Sequence, residues 1–178
     1  FISTGYMANL ACITGLSSGL SSASNSGQGS APTHMSIYSE ELNHASLIDG
    51  ARLAHKQNNA AIHVYPHQDL TYLEHLLQKD NNPFKLIITD AVFSMDGNIA
   101  KIDRLLELAE TYDALLMIDD AHGFGVLGAD GRGTWDDAGL WNHVNGGPPV
   151  DGVALTVCGT LAKAMGGYGG VIPGTRAF

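Results

Sequence analysis

The chain has 178 residues, carries 9 basic against 18 acidic side chains for a formal charge of −9, and is 44% hydrophobic and 15% charged. That is enough for one domain with a packed core; it excludes the clustered Lys and Arg of a nucleic-acid surface, and no apolar run reaches membrane-span length. Cys12 and Cys158 form no CxxC and "FISTGYMANL" lacks a basic start, so neither a disulfide framework, a zinc site nor a signal peptide is expected, and an intracellular, cytoplasmic setting is.

In chain order, residues 6–16, "YMANLACITGL", put Tyr6, Leu10 and Ile13 on one helical face. Residues 17–33, rich in Ser and Gly with one Pro, read as a flexible surface insertion. "MSIYSE" alternates as a short strand, "NHASLIDGARLAHKQ" follows as a helix, and "AIHVYP" is the next strand. "DLTYLEHLLQK" is helical, with a stripe of Leu70, Leu73, Leu76 and Leu77 and Asp69 as its cap. "FKLIITDAVFS" is a strand rich in β-branched residues, and "AKIDRLLELAETY" repeats Ile102, Leu105, Leu106 and Ala109 at helical spacing. "ALLMIDD" and "GVALTVCGT" are two further strands. Strands alternating with helices predict an α/β fold with a mostly parallel sheet and right-handed crossovers.

In such sheets ligands sit beyond the carboxyl ends of the strands. Polar residues gather at three of those ends: Asp90 with Ser94, Asp119 with His122, and Thr160 with Lys163. The GxGxxG formed by Gly123, Gly125 and Gly128 is not a dinucleotide fingerprint, because it is separated from its strand and runs into the turn-rich "ADGRGTWDD" instead of opening a helix. Ser94 lies in "VFSMDG", which is not a nucleophile elbow.

Lys163 follows an apolar strand and is bracketed by Gly159, Gly166, Gly167, Gly169 and Gly170. A lone loop lysine is ordinarily solvated. One partly desolvated between a strand and a glycine-rich turn has its pKa lowered from about 10.4 and becomes a Schiff-base nucleophile. With an aspartate at a neighbouring strand end, that pattern points to pyridoxal 5'-phosphate, whose pyridine nitrogen needs a carboxylate to stay protonated. Asp119 is the candidate for that role. Asp120 reads as a structural turn carboxylate.

In this order, "TGYMAN", "LNHASLIDGARLA", "VFSMDG", "DDAHGFGVLGADGRG" and "GTLAKAMGGYGG" resemble the α-oxoamine synthases, fold-type I pyridoxal-phosphate enzymes that condense an amino acid with an acyl-CoA. The likeness covers nearly the whole chain apart from residues 17–33. It implies a truncated large, cofactor-binding domain over 1–178 with helices on both faces of the sheet, the family's C-terminal small domain being absent. By resemblance, Lys163 carries the cofactor and moves the Cα proton, Asp119 pairs with the pyridine nitrogen, and His44 stacks on the ring. His122 and Ser94 lie at its phenolic oxygen, Thr160 at the phosphate, and Gly5 with Tyr6 at a helix start bordering the cofactor. Asp90 is a conditional candidate, since the family carries an acidic residue there, and no metal is implied. Capping of its helix is the structural alternative for His44.

The run "DDAHGFGVLG" is most similar to family members that join L-alanine to a pimeloyl thioester, of CoA or of an acyl carrier protein, in biotin synthesis. A homodimer of the complete protein is implied, with neither nucleic acid nor membrane as partner. A sister synthase (glycine C-acetyltransferase, 5-aminolevulinate synthase or serine palmitoyltransferase), a non-catalytic partner subunit and a nicotinamide oxidoreductase are the alternatives.

Overall fold

The computed structural model describes residues 1–24, 34–140 and 155–173. In chain order it has α1 (Gly5–Ser24), β1 (Ser36–Glu40), α2 (Ala45–Asn58), β2 (Ala61–Tyr65), α3 (Leu70–Lys79), β3 (Lys85–Asp90), α4 (Ile102–Thr111), β4 (Ala114–Asp119), α5 (Thr134–Asp137), β5 (Leu155–Thr160) and β6 (Gly170–Val171). The six strands form one sheet in the order β2-β1-β3-β4-β5-β6. β1 to β5 run parallel, and β6 alone is antiparallel, pairing Thr160 with Gly170.

Parallel neighbours need crossover connections, which place helices over the sheet and bury its strands on both faces. Side chains alternate between those faces. Ile37, Leu86, Ile88, Met117 and Cys158 pack on one side with Ile13 of α1 and Leu47 and Ala51 of α2. Tyr38, Ile87, Leu116 and Ile118 pack on the other with Leu73 and Leu77 of α3 and Ile102, Leu105 and Leu106 of α4. This is the expected α/β architecture, and it explains why "LII" and "LLMI" are apolar throughout instead of alternating.

The helices are closed locally. Asp69 accepts the Tyr72 N–H at 2.9 Å, as its capping position predicts. α2 ends at Asn59 in the left-handed region (φ 55°), a conformation asparagine tolerates.

Several elements differ from the sequence expectation. α1 does not stop at residue 16 but continues to Ser24, so the first part of the expected flexible insertion is helix; residues 25–33 lie outside the described residues. The extension is held by side chains that composition alone reads as helix breakers. The Ser17 and Ser18 hydroxyls donate back to the Thr14 carbonyl at 2.9 and 2.8 Å. Both oxygens also accept from Asn58 Nδ2 of α2, at 2.8 and 3.1 Å. The strand expected over 84–94 ends at Asp90, after which Val92 makes only an isolated bridge to Ile99. The start of "GVALTVCGT" at 152–154 is outside the described residues, and "ADGRGTWDD" holds a 3-10 turn at Ala129–Gly131 and the one-turn α5.

Asn58→Ala removes the two hydrogen bonds that Asn58 makes to Ser17 and Ser18 of the α1 extension. It should lower the free energy of urea unfolding by about 1–3 kcal/mol, the sum of two such bonds. A value near zero would mean that residues 17 and 18 do not dock.

Candidate functional site

Strand alternation aims the site. Asp90 continues the Leu86–Ile88 set on β3, Asp119 the Met117 set on β4, and Thr160 the Cys158 set on β5, so all three face α1 and α2 at the carboxyl ends of their strands. Asp90 and Asp119 are paired in register on adjacent strands. Only 4% and 7% of their surfaces are exposed. Burial and the neighbouring Asp119 charge push the Asp90 carboxyl up to about 7. Its Oδ2 accepts the His44 backbone N–H at 2.8 Å. Asp119 accepts from the Ala121 N–H at 2.9 Å on Oδ1 and from Asn9 Nδ2 at 2.6 Å on Oδ2.

Two helix starts complete the surroundings. His44 is the N-cap of α2, its Nδ1 accepting the Ser46 N–H at 3.3 Å. The capping alternative and the site position therefore coincide in one residue. The rings of His44 and Tyr6 meet edge to face, 6.2 Å apart at 77°, and the Tyr6 hydroxyl donates to Asp49. At the start of α1, Thr4 caps the Met7 N–H at 3.1 Å. A Cβ at Gly5 would lie 2.9 Å from Thr160 Cβ, so only glycine lets the helix start approach the end of β5 this closely. Thr160 Oγ1 accepts the Ala162 N–H at 3.2 Å and donates to the Gly169 carbonyl at 3.3 Å.

Lys163 Nζ donates to His122 Nε2 at 2.9 Å. Burial, then the Lys163 charge, holds the His122 imidazole below its ordinary pKa. One expectation is corrected here: Lys163 is exposed instead of partly desolvated, because the turn that carries it, residues 161–168, lies outside the sheet core. Ser94 is likewise exposed, on the turn after Phe93, and makes no hydrogen bond to the other candidates. Asp120 is structural, as read from the sequence: it accepts the Thr134 N–H at 2.9 Å and the Thr134 hydroxyl. Gly123 lies so close to that carboxylate that a Cβ would overlap it at 2.2 Å, which gives the GxGxxG run a packing reason unrelated to a dinucleotide.

Sequence reasoning missed Asn9, Asn43 and Ser46. Asn43 accepts the Asp90 N–H through Oδ1 at 3.0 Å and donates to the Ile88 carbonyl at 3.0 Å, pinning the α2 entry to β3. Asn9 did carry a signal, since it interrupts the apolar stripe between Tyr6 and Ile13. Among the described residues, no group of three or more His, Cys, Asp or Glu side chains could hold a metal ion, and no helix is long and apolar enough to cross a membrane.

A family model for aminotransferase class I and II matches residues 7–178. The chain belongs to the aminotransferase class I and II family. Within that family it is 47% identical over 176 residues to an 8-amino-7-oxononanoate synthase of Ralstonia pickettii (strain 12J), covering 99% of this chain and 37% of the relative. It is 46% identical over 176 residues to the same-named protein of Herminiimonas arsenicoxydans, covering 99% of this chain and 39% of the relative. Among solved structures, a serine palmitoyltransferase from S. paucimobilis with a bound PLP–myriocin aldimine superposes with a TM-score of 0.73 at 30% identity, over 96% of this chain and 36% of that one. The Sphingomonas wittichii serine palmitoyltransferase gives a TM-score of 0.74 at 27% identity, over 98% and 37%. The chain thus spans little more than a third of the length of the curated relatives it matches.

The Asp90 carboxyl, held up at about 7 in the folded chain against about 3.9 in the unfolded one, makes stability pH-dependent. The folded state keeps a proton that the unfolded chain has released, so this contribution is full below about pH 4 and is lost as the pH rises through about 7. Asp120, raised by burial, acts with the same sign. Asp90→Asn keeps an acceptor for the His44 N–H, and should flatten the decline in unfolding free energy between about pH 4 and 7. Comparison with the parent cancels the opposite contribution of His122. An unchanged slope would exclude Asp90 as its source.

Proposed function

We propose that this chain is the cofactor-binding core of a pyridoxal-phosphate-dependent α-oxoamine synthase that condenses L-alanine with a pimeloyl thioester to 8-amino-7-oxononanoate, with loss of carbon dioxide. The observation that carries the reading is the convergence, at neighbouring strand ends, of a buried Asp119 carboxylate and a Lys163 amine paired with His122 at 2.9 Å. Relatives at 47% and 46% identity bear the name of that synthase. The residues present fit the cofactor. The Gly5 and Tyr6 N–H groups precede the first intrahelical bonds of α1 and stand beside the Thr160 hydroxyl, an anion cradle that a Cβ at Gly5 would fill. Bound there, pyridoxal phosphate supplies an electron sink for the carbanion formed at the amino acid's Cα.

In this reading the Lys163 amine holds the cofactor and then takes and returns the Cα proton. His122 accepts from Lys163 and, held below its ordinary pKa by burial and by that ammonium, stays neutral beside it. Asp119, fixed by Asn9 and Ala121, presents a carboxylate that holds a proton on the pyridine nitrogen. His44 lies against the ring, Thr160 with Gly5 and Tyr6 takes the phosphate, and Ser94 and Asp90 border the site. The complete protein is a homodimer in this reading; the exposed apolar side chains of Val126, Met95 and Tyr168 (62%, 90% and 77%), on or beside the site loops, are surface for such a partner. A serine palmitoyltransferase-like activity is the second reading, favoured by the structural likeness at TM-score 0.74 but at lower identity, 27%.

Borohydride reduction of the complete, cofactor-loaded protein followed by peptide mapping should place the label on Lys163; label on Lys56 or Lys101 would overturn the assignment. Turnover of a matrix of amino acids against acyl thioesters should peak at L-alanine with the pimeloyl thioester. A peak at L-serine with a long-chain acyl-CoA would select the second reading. Asp119→Asn should retain cofactor while slowing exchange of the alanine Cα proton by at least about tenfold, equivalent to roughly 1.4 kcal/mol in the barrier. Near-parental exchange would remove Asp119 from its role.

A further inference from the structure

Resting on the cofactor reading above, we propose that Asn9 and Ser46 are positioning residues that link the Asp119 carboxylate to the His44 ring and hold that ring as its neutral Nε2–H tautomer. The Asn9 amide has two hydrogens. One goes to Asp119 Oδ2 at 2.6 Å and the other to Ser46 Oγ at 2.9 Å. The reverse amide orientation would set a carbonyl oxygen against the carboxylate, so Asp119 itself dictates which way Asn9 faces. Ser46 Oγ, having accepted from Asn9, directs its own hydrogen to His44 Nδ1 at 2.7 Å. The Ser46 backbone N–H converges on the same ring nitrogen at 3.3 Å. Two donors aimed at Nδ1 require its lone pair, which leaves the ring proton on Nε2 and the imidazole uncharged.

The intermediates are out of water's reach: Asn9 is 2% exposed and Ser46 0%. Asn9 Oδ1 is buried without a partner, the consequence of turning both amide hydrogens toward the carboxylate and the hydroxyl. The rest of His44 is tied down independently, its backbone N–H by Asp90 and its ring edge by Tyr6. The ring plane and its proton are thus set by hydrogen bonds that diverge from the Asn9 amide, one to the carboxylate assigned to the pyridine nitrogen and the other through Ser46 to Nδ1. A neutral, fixed imidazole can lie flat against an aromatic ring without placing a second cation beside a pyridinium.

The test uses the complete, cofactor-free protein with 15N-labelled histidine, the His44 signals being assigned by their loss in His44→Gln. The parent should show His44 with an unprotonated Nδ1 and a protonated Nε2 at neutral pH. Ser46→Ala should shift His44 toward a mixture of tautomers, Ser46→Thr should restore the parental signature, and Asn9→Leu should act in the direction of Ser46→Ala. Titration with pyridoxal phosphate should then show Kd raised at least about fivefold in Ser46→Ala and restored in Ser46→Thr. A cationic or Nδ1–H His44 in the parent, or a signature indifferent to Ser46→Ala, would overturn the proposal; so would an unchanged Kd. If Asn9→Leu does not fold, the Ser46→Ala and Ser46→Thr pair still decides. The expected tautomer in a protein that takes up no pyridoxal phosphate would refute the cofactor reading while leaving the donor chain standing.

Discussion

Two buried carboxylates in register on adjacent strands are the constraint around which the rest of this chain is arranged. A carboxylate taken out of water is costly unless donors replace the water. Asp90 and Asp119 raise that cost further because each sits in the field of the other. The answer comes from several parts of the chain at once: Asn9 from α1, His44 from the entry to α2, and Ala121 from the turn after β4. Those donors fix where the two helix starts lie relative to the sheet. Asp90, left with the weaker set, keeps its proton up to about 7.

The neighbouring residues Asp119 and Asp120 show how one step along a chain divides roles. Alternation turns Asp119 toward α1 and α2, whereas Asp120 binds Thr134 and packs under Gly123 and Gly133. One carboxylate faces the strand-end crevice and the other closes the loop that carries His122. The glycines of "GFGVLG" are needed by that closure. Close approach to Asp120, together with the positive φ of 84° at Gly125 and 73° at Gly128, accounts for them without a phosphate.

Helix starts, too, combine packing with a place at the candidate site. His44 caps α2 and its backbone N–H binds Asp90 at the candidate site; Gly5 begins α1 where a Cβ would meet Thr160. Such double duty makes a capping explanation and a functional explanation of one residue compatible, so neither alone decides its role. The serines after residue 16 make a related point. Composition assigns them to a flexible stretch, but a hydroxyl that bonds the preceding turn and accepts from a neighbouring helix stabilises the helix it was expected to end.

The sequence by itself determined the order of strands and helices, the mostly parallel sheet, and the gathering of Asp90, Asp119 and Thr160 at strand ends, because apolar periodicity and turn residues are local properties that strand alternation carries into space. The family resemblance rested on the same local runs. Only the tertiary structure decided the extension of α1 to Ser24, the exposure of Lys163, and the partners of Asp119. Each of those depends on atoms brought together from distant parts of the chain: Asn58 on Ser17 across 41 positions, and Asn9 on Asp119 across 110. Cys12 and Cys158 likewise meet as buried free thiols in one cluster between α1 and β5, a meeting that their spacing gives no means to foresee. A buried donor or acceptor takes whatever partner the packed fold delivers, and that delivery is a property of the whole sheet instead of any stretch of sequence.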